Sequence, residues 1–153
     1  MTSMSNTTQK HFIVEQFPLP TWVSDEKGLI LYCNTECTKY WRDTSPPLLQ
    51  QWLDFVYPAD LEEVKNKWLD AIRLRSRIEF KCRLLHKTHY YRWCKISIQL
   101  SKYHESSQEN EWFISFLDID QDIQEQQSLR KDIDIQNQML DISVDCIKVL
   151  NTD

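Results

Sequence analysis

Only one glycine, Gly28, occurs in this chain of 153 residues. Glycine averages ~7% of ordinary proteins, so roughly ten would be expected. A chain this poor in glycine has few places where its backbone can turn left-handed without steric cost. The one it keeps stands inside "TWVSDEKGLILYCN". Two β-rich runs, "TWVS" and "LILYC", flank "DEKG". That spacing predicts a hairpin whose turn starts at Asp25 and closes with Gly28 at positive φ. A tight antiparallel turn therefore opens the domain.

A second hairpin is written in alternation. Ile78, Phe80, Cys82 and Leu84 alternate with charged residues, and Cys94, Ile96, Ile98 and Leu100 alternate with Lys, Ser and Gln. Both apolar sets are even-numbered. Directly opposed residues of an antiparallel pair share a face. Two even-numbered inner faces therefore require an odd number of loop residues at "HKTH", most simply three. A loop of 87–89 sets Cys82 directly opposite Cys94; a loop of 86–88 sets them diagonal. Either way both thiols face the core.

The remaining elements follow from similar signals. "QKHFIVEQF" reads as up to two helical turns ended by Pro18 and Pro20. "TECTKYW" reads as a short helix, and "DTSPPLLQQW" as a loop with a further helical turn. In "FVYPADLEEVKNKWLDAIRL", Leu61, Val64, Trp68, Ala71 and Ile72 make one apolar stripe at helical spacing. Pro58 suits the helix edge. Asp60 and Glu63 have capping-box spacing, which assigns Asp60 a structural role at the helix start. "EWFISFLDID" makes the last strand after the polar loop "HESSQEN". The fold class is α+β: a five-stranded antiparallel sheet with helices on one side, a short N-terminal helix and a long C-terminal one. In that last helix Leu129, Ile133 and Leu140 fall at heptad-compatible spacing, with Gln136 interrupting the row. The pattern fits a two-stranded coiled coil with a polar seam, or a single amphipathic helix packed back on the sheet.

Composition excludes several classes. The formal net charge of −5, without a basic stripe, argues against nucleic-acid binding. No apolar run reaches the ~20 residues that span a bilayer. The start "MTSMSNTTQK" lacks an apolar signal segment, which points to the cytoplasm. Five cysteines with no C-x-x-C pair read as reduced thiols. With one glycine there is no phosphate-binding glycine loop, and no nucleophile–histidine pair stands in a recognisable context, so no catalytic constellation is expected.

Four stretches, in order, resemble the PAS family of sensor domains over about residues 17–120. "PLPTWVSDEKGLILYCN" resembles the family's opening hairpin, with Gly28 and then Asn34. "WLDFVYPADLEEV" is similar to the H-P-D-D motif, with Tyr57 in place of the histidine. "IEFKCRLLHKTHYYRWCKISIQLS" resembles the family's strand pair. "FISFLDID" resembles the last strand and its D-I-T ending, with Asp120 in place of the threonine. The resemblance divides the chain into an N-terminal tail and cap helix (1–16), a PAS sensor domain (17–120), a signalling linker helix (121–141) and a stub (142–153). In that stub "DCIKVL" alternates like the first strand of a second PAS domain. The alternative is a natural C-terminal helix with an odd tail.

The resemblance implies a sensory module of a bacterial signalling protein, a histidine kinase first and a diguanylate cyclase or phosphodiesterase second. The alternative is a ligand-free dimerisation module. The expected partners are a second copy, held through the C-terminal helix, and a downstream signalling domain. Cys33, Cys82, Cys94, Ile96, Ile98 and Trp68 are the candidate pocket lining. Asp118 and Asp120 are the candidate relay into the last helix, where Asp120 also suits the helix start. Gly28, Asn34, Pro58 and Asp60 carry structure. Haem-binding members use a histidine from the helical side, which the long helix lacks. No stretch resembles the cysteine motif of flavin-adduct sensors. The identity of any cofactor is left open. Cys33, Cys37, Cys82 and Cys94 read first as core filling, then as a redox-responsive pair, and last as ligands of zinc or an iron–sulfur cluster. His86 and His89 at the hairpin tip read as an exposed turn, without a third metal ligand.

Overall fold

A computed structural model describes residues 12–40, 50–101 and 110–150, the side chains of 143–150 excepted. The backbone falls into two units, Met1–Ile119 and Asp120–Asp153. In the first unit, a helical turn at 12–15 (α1) precedes β1 (Thr21–Ser24), β2 (Ile30–Cys33) and α2 (Thr35–Tyr40). A 3-10 turn at Trp52–Phe55 leads to α3 (Leu61–Leu74), followed by β3 (Ile78–Leu85), β4 (Tyr91–Leu100) and β5 (Trp112–Asp118). The five strands form one antiparallel sheet in the order β2-β1-β5-β4-β3. The second unit is α4, Asp120–Leu150.

The β3–β4 register is the one the alternation requires. Ile78 faces Ile98, Phe80 faces Ile96, and Cys82 lies directly opposite Cys94. The loop is Lys87–His89, closed by the His86 N–H to the Tyr90 carbonyl (2.8 Å). His89 takes φ +64, the left-handed residue that a three-residue hairpin loop needs. On β5 the partners are even again: Ile98 with Ile114, Ile96 with Phe116, Cys94 with Asp118. The inner face therefore runs as transverse rows, and α3 covers it with Val64, Trp68 and Ala71. On the opposite face Val14 packs with Val23 and Phe113.

Gly28 sits at φ +87, as the hairpin demands. Its N–H reaches the Asp25 carbonyl (3.1 Å), while the Asp25 carboxylate accepts the N–H groups of Lys27 and Leu29 (both 2.9 Å). Its carbonyl accepts the Trp52 N–H at 3.0 Å. A Cβ there would stand 2.7 Å from Gln51 Oε1 and 3.5 Å from the Trp52 ring. So the residue serves both a turn and a close approach.

Two expectations differ from the structure. The residues of "DCIKVL" continue α4 as helix to Leu150 instead of forming a strand. A strand without a sheet partner leaves its backbone groups unpaired, whereas a helix pairs them internally. Asp60 does begin α3, and its carbonyl accepts the Val64 N–H at 3.0 Å, but its side chain makes no cap hydrogen bond. It turns to β3 instead, as described below. The loop expected after Asp43 and the one at "HESSQEN" lie mostly outside the described residues.

Gly28→Val should destabilise the protein by about 1–3 kcal/mol, because a β-branched residue is forced into the left-handed region. Gly28→Asn should cost less, since Asn tolerates positive φ and the Gln51 side chain can swing aside. Urea midpoints of the three proteins check this; equal midpoints for wild type and the Val variant would refute it.

Candidate functional site

The inner face of the sheet and its covering helices enclose an aromatic interior. Trp22 packs at 5.1 Å from Phe116, 5.6 Å from Phe55 and 6.5 Å from Trp52. Trp52 and Trp112 each meet Trp68 edge-on at 5.6 Å. The indole N–H groups of Trp52 and Trp112 are fully buried, without an acceptor among the described residues. Each such donor costs about 1–3 kcal/mol. All six candidate lining residues, Cys33, Cys82, Cys94, Ile96, Ile98 and Trp68, belong to this one buried cluster.

Four of the five cysteines, those whose side chains are described, sit in two places. Cys33 flanks α2 and Cys37 lies within it, while Cys82 and Cys94 face each other across β3 and β4. All four are buried and unbridged. Burial pushes the Cys82 thiol up to about 12, reinforced by the neighbouring Cys94 and Asp60. Burial likewise drives the Cys37 thiol upward, with Cys33 beside it adding to the shift. Protonated thiols are poor nucleophiles and poor metal ligands.

At one end the apolar interior gives way to charge. Asp118, the last residue of β5, accepts Arg92 Nε at 2.6 Å and the Tyr40 hydroxyl at 3.0 Å. Tyr40 closes α2, and its ring meets Phe116 at 5.3 Å and His86 at 4.6 Å. Burial raises the Tyr40 hydroxyl, and Cys94 and Asp118 raise it further, so it stays a donor. Burial lowers His86, and Arg92 beside it acts the same way. One residue on, the Ile119 N–H is held by the Trp93 carbonyl at 2.8 Å. Asp120 begins α4 and accepts Gln124 Nε2 at 2.7 Å, with its charge at the favourable end of the helix dipole. Asp118 and Asp120 thus take different roles: one ties three elements together, the other lies in the first helical turn.

Asn34 and Asp60 anchor the rest. The Asn34 side chain accepts from the N–H groups of Thr21 and Cys37 (both 3.0 Å) and donates to the carbonyls of Leu19 (2.9 Å) and Val14 (3.2 Å). One buried amide thus caps α2 and joins it to β1 and α1. Glu15 lies nearby, accepting from the hydroxyls of Tyr32 and Thr35. The Asp60 carboxylate receives three bonds from Arg83: the backbone N–H and Nε at 3.0 Å each, and Nη2 at 2.7 Å. The Arg83 guanidinium also stacks 4.0 Å over the Tyr57 ring and 4.9 Å from the Trp93 ring. Because Tyr57 N–H donates to the Arg83 carbonyl (2.9 Å) and Val56 bridges to Leu84, this segment covers the open edge of β3.

Tyr40 and Arg92 went unremarked in the sequence. Arg92 had a signal: it is even-numbered on β4, so alternation turns it inward, where a charge requires a partner. Asp118 carries the matching phase on β5. Tyr40 had none, because only the tertiary fold brings the end of α2 to β5.

Comparison with known proteins agrees with this geometry. The family model described as "PAS fold" matches residues 30–113, more than half of the chain, and the protein belongs to that family. No curated protein sequence matches. Among solved structures, a PAS domain from Colwellia psychrerythraea is similar with TM-score 0.61 and 16% identity, covering 76% of this chain and 99% of that one. A PAS domain from a two-component sensor histidine kinase gives 0.55 and 14%, covering 73% and 95%. The N-terminal domain of a diguanylate cyclase with a PAS/PAC sensor, from Marinobacter aquaeolei, gives 0.54 and 17%, covering 67% and 96%.

The Asp60–Arg83 pair sets a pH dependence. Hydrogen bonds from Arg83 hold the Asp60 carboxyl below its ordinary range. A depressed folded-state pKa gives stability that is present above the unfolded value of ~3.9 and lost as pH falls through the folded one. Asp60→Asn should therefore be less stable than wild type at pH 7, and the gap should shrink as pH falls below ~4. Urea midpoints of both proteins across that range check it; a gap independent of pH would refute it.

Proposed function

We propose that this chain is the sensory module of a signalling protein, and that it passes its signal from the aromatic interior through the end of β5 into α4. The observation that carries the reading is the Asp118 joint. Its carboxylate is tied to α2 by Tyr40 and to β4 by Arg92, two residues before α4 begins. A change in the interior that moves Tyr40 or Phe116 alters the restraint on Asp118, and a two-state element at that point biases the helix that follows. The buried N–H groups of Trp52 and Trp112 support a small molecule bearing acceptor atoms as the signal, and the raised Cys82 thiol tells against a redox signal.

The parent is proposed to be a cytoplasmic bacterial sensor histidine kinase, with a diguanylate cyclase as the second reading. The similarity to PAS domains from both kinds of protein supports each. Among the described residues no helix is long and apolar enough to cross a membrane. The module itself is read as non-catalytic.

The test of the relay is amide exchange over residues 119–126 in Tyr40→Phe and Asp118→Asn. Both variants remove a bond to the joint while keeping the size of the side chain. Protection of the first turns of α4 is expected to fall in both, with the Ile119 N–H falling most. Unchanged exchange there in two folded variants would overturn the relay.

A homodimer through α4 is part of the same proposal. Leu129, Ile133 and Leu140, with Ile135, Met139 and Ile142, are half or more exposed on the helix. Apolar side chains in such a row are what a partner helix buries. Sedimentation of the intact chain against a version ending at Asp118 is expected to show a dimer only for the intact chain. Two monomers at tens of micromolar, a modest concentration for weak coiled coils, would overturn it.

A further inference from the structure

A concavity of about 540 Å³ opens on the flank of the first unit, and none of its lining comes from the Trp52–Trp68–Trp112 stack. Its size falls within the range of small-molecule sites. The floor is apolar: Ile13 and Phe17 come from the N-terminal segment, Leu100 from β4 and Phe113 from β5. Phe17 and Phe113 meet edge to face at 5.7 Å, which makes a rigid platform. Arg75 and Arg77 stand on the rim.

The rim carries uncompensated positive charge. Arg77 donates to Glu79 Oε1 at 2.6 Å and to Ser97 Oγ at 3.3 Å, and the other Glu79 oxygen lies 3.5 Å from Lys95 Nζ. Arg75 makes no hydrogen bond or ion pair among the described residues. Two cations therefore share one carboxylate and a third has none, on a chain whose net charge is −5. Arg75 is also held at φ +50, ψ +37, at the C-terminus of α3. That position favours glycine and costs an L side chain about 1–2 kcal/mol. Backbone strain of this kind concentrates where a side chain is needed for binding.

We infer that this concavity binds a free monocarboxylate with an apolar body, the body lying on Phe17 and Phe113 and the carboxylate held by the Arg75 guanidinium with Arg77 beside it. The planar fork of a guanidinium matches a carboxylate in two parallel hydrogen bonds. One unengaged guanidinium above an apolar floor suits a single negative head better than a polyanion. The reading is independent of the relay through Asp118, since no lining residue takes part in that joint.

The test is titration of the intact chain with decanoate below its micelle concentration, followed by the amide resonances of Phe17, Leu100 and Phe113. Saturable shifts are expected at those residues, with decanol about tenfold weaker, the factor that loss of one charge-assisted hydrogen bond gives. Arg75→Gly should weaken decanoate binding by a similar factor. Glycine relieves the strain at φ +50, so this variant is expected to fold at least as well as wild type, and its urea midpoint shows whether it does. Arg75→Lys, keeping the charge without the fork, should bind between the two. Equal affinity for decanoate in wild type and Arg75→Gly, equal affinity for decanol, shifts confined to Trp68 and Ile96 in the core, or capture of the chain by phosphatidylglycerol vesicles without saturable decanoate shifts would each overturn the inference.

Discussion

The sheet depends on keeping one side-chain parity across three strands. On β3, β4 and β5 the inner face is even-numbered throughout, and a slip of one residue in either pairing would turn a whole apolar row to solvent. The rows that result are continuous across strands. Ile78, Ile98, Ile114 and Trp22 form one; Phe80, Ile96 and Phe116 form the next; Cys82, Cys94 and Asp118 form the third. The apolar rows hold the helices, while the third grades from thiols into a carboxylate. The charged joint therefore comes from the same register that builds the core, displaced by two residues along it.

That register was legible because alternation leaves so few choices. The three-residue loop follows from two even-numbered strands, and with it the placement of Cys82 opposite Cys94. The first hairpin was less fully written. Trp22 pairs with Cys33 and Val23 with Tyr32, but Ser24 pairs with Ile30 across a bulge. The extra residue lets both Ile30 and Cys33 face inward while Leu31 is left partly exposed. No local pattern in "LILYC" announces that shift, because all five residues suit a strand.

Asp60 shows how a correct local signal can name the wrong partner. Its spacing to Glu63 fits a capping box, and it does stand at the start of α3. Yet Arg83, on an edge strand with an unpaired N–H, offers the carboxylate a backbone donor and a guanidinium together. Such charge-assisted bonds exceed a single cap bond, and they close an otherwise open sheet edge. Sequence spacing cannot weigh a partner 23 positions away. A longer separation hid Tyr40, 78 positions from the Asp118 it contacts. Asn34 was visible as a family feature, but its four-way bonding was not, since three of those partners lie 13 to 20 residues upstream.

Packing four indoles within one small interior has an optical consequence. Trp22, Trp52, Trp68 and Trp112 form a chain of neighbours with centroids 5.6 to 6.5 Å apart, fixed at oblique or near-perpendicular angles. Fixed, asymmetric aromatic packing is what near-ultraviolet circular dichroism records, and it vanishes when packing loosens while secondary structure survives. Because these rings bridge β1, the 3-10 turn, α3 and β5, their combined signal reports on the joining of helices to sheet, separately from the helical signal of α4. The protein thus carries a built-in chromophore for the state of its own interior.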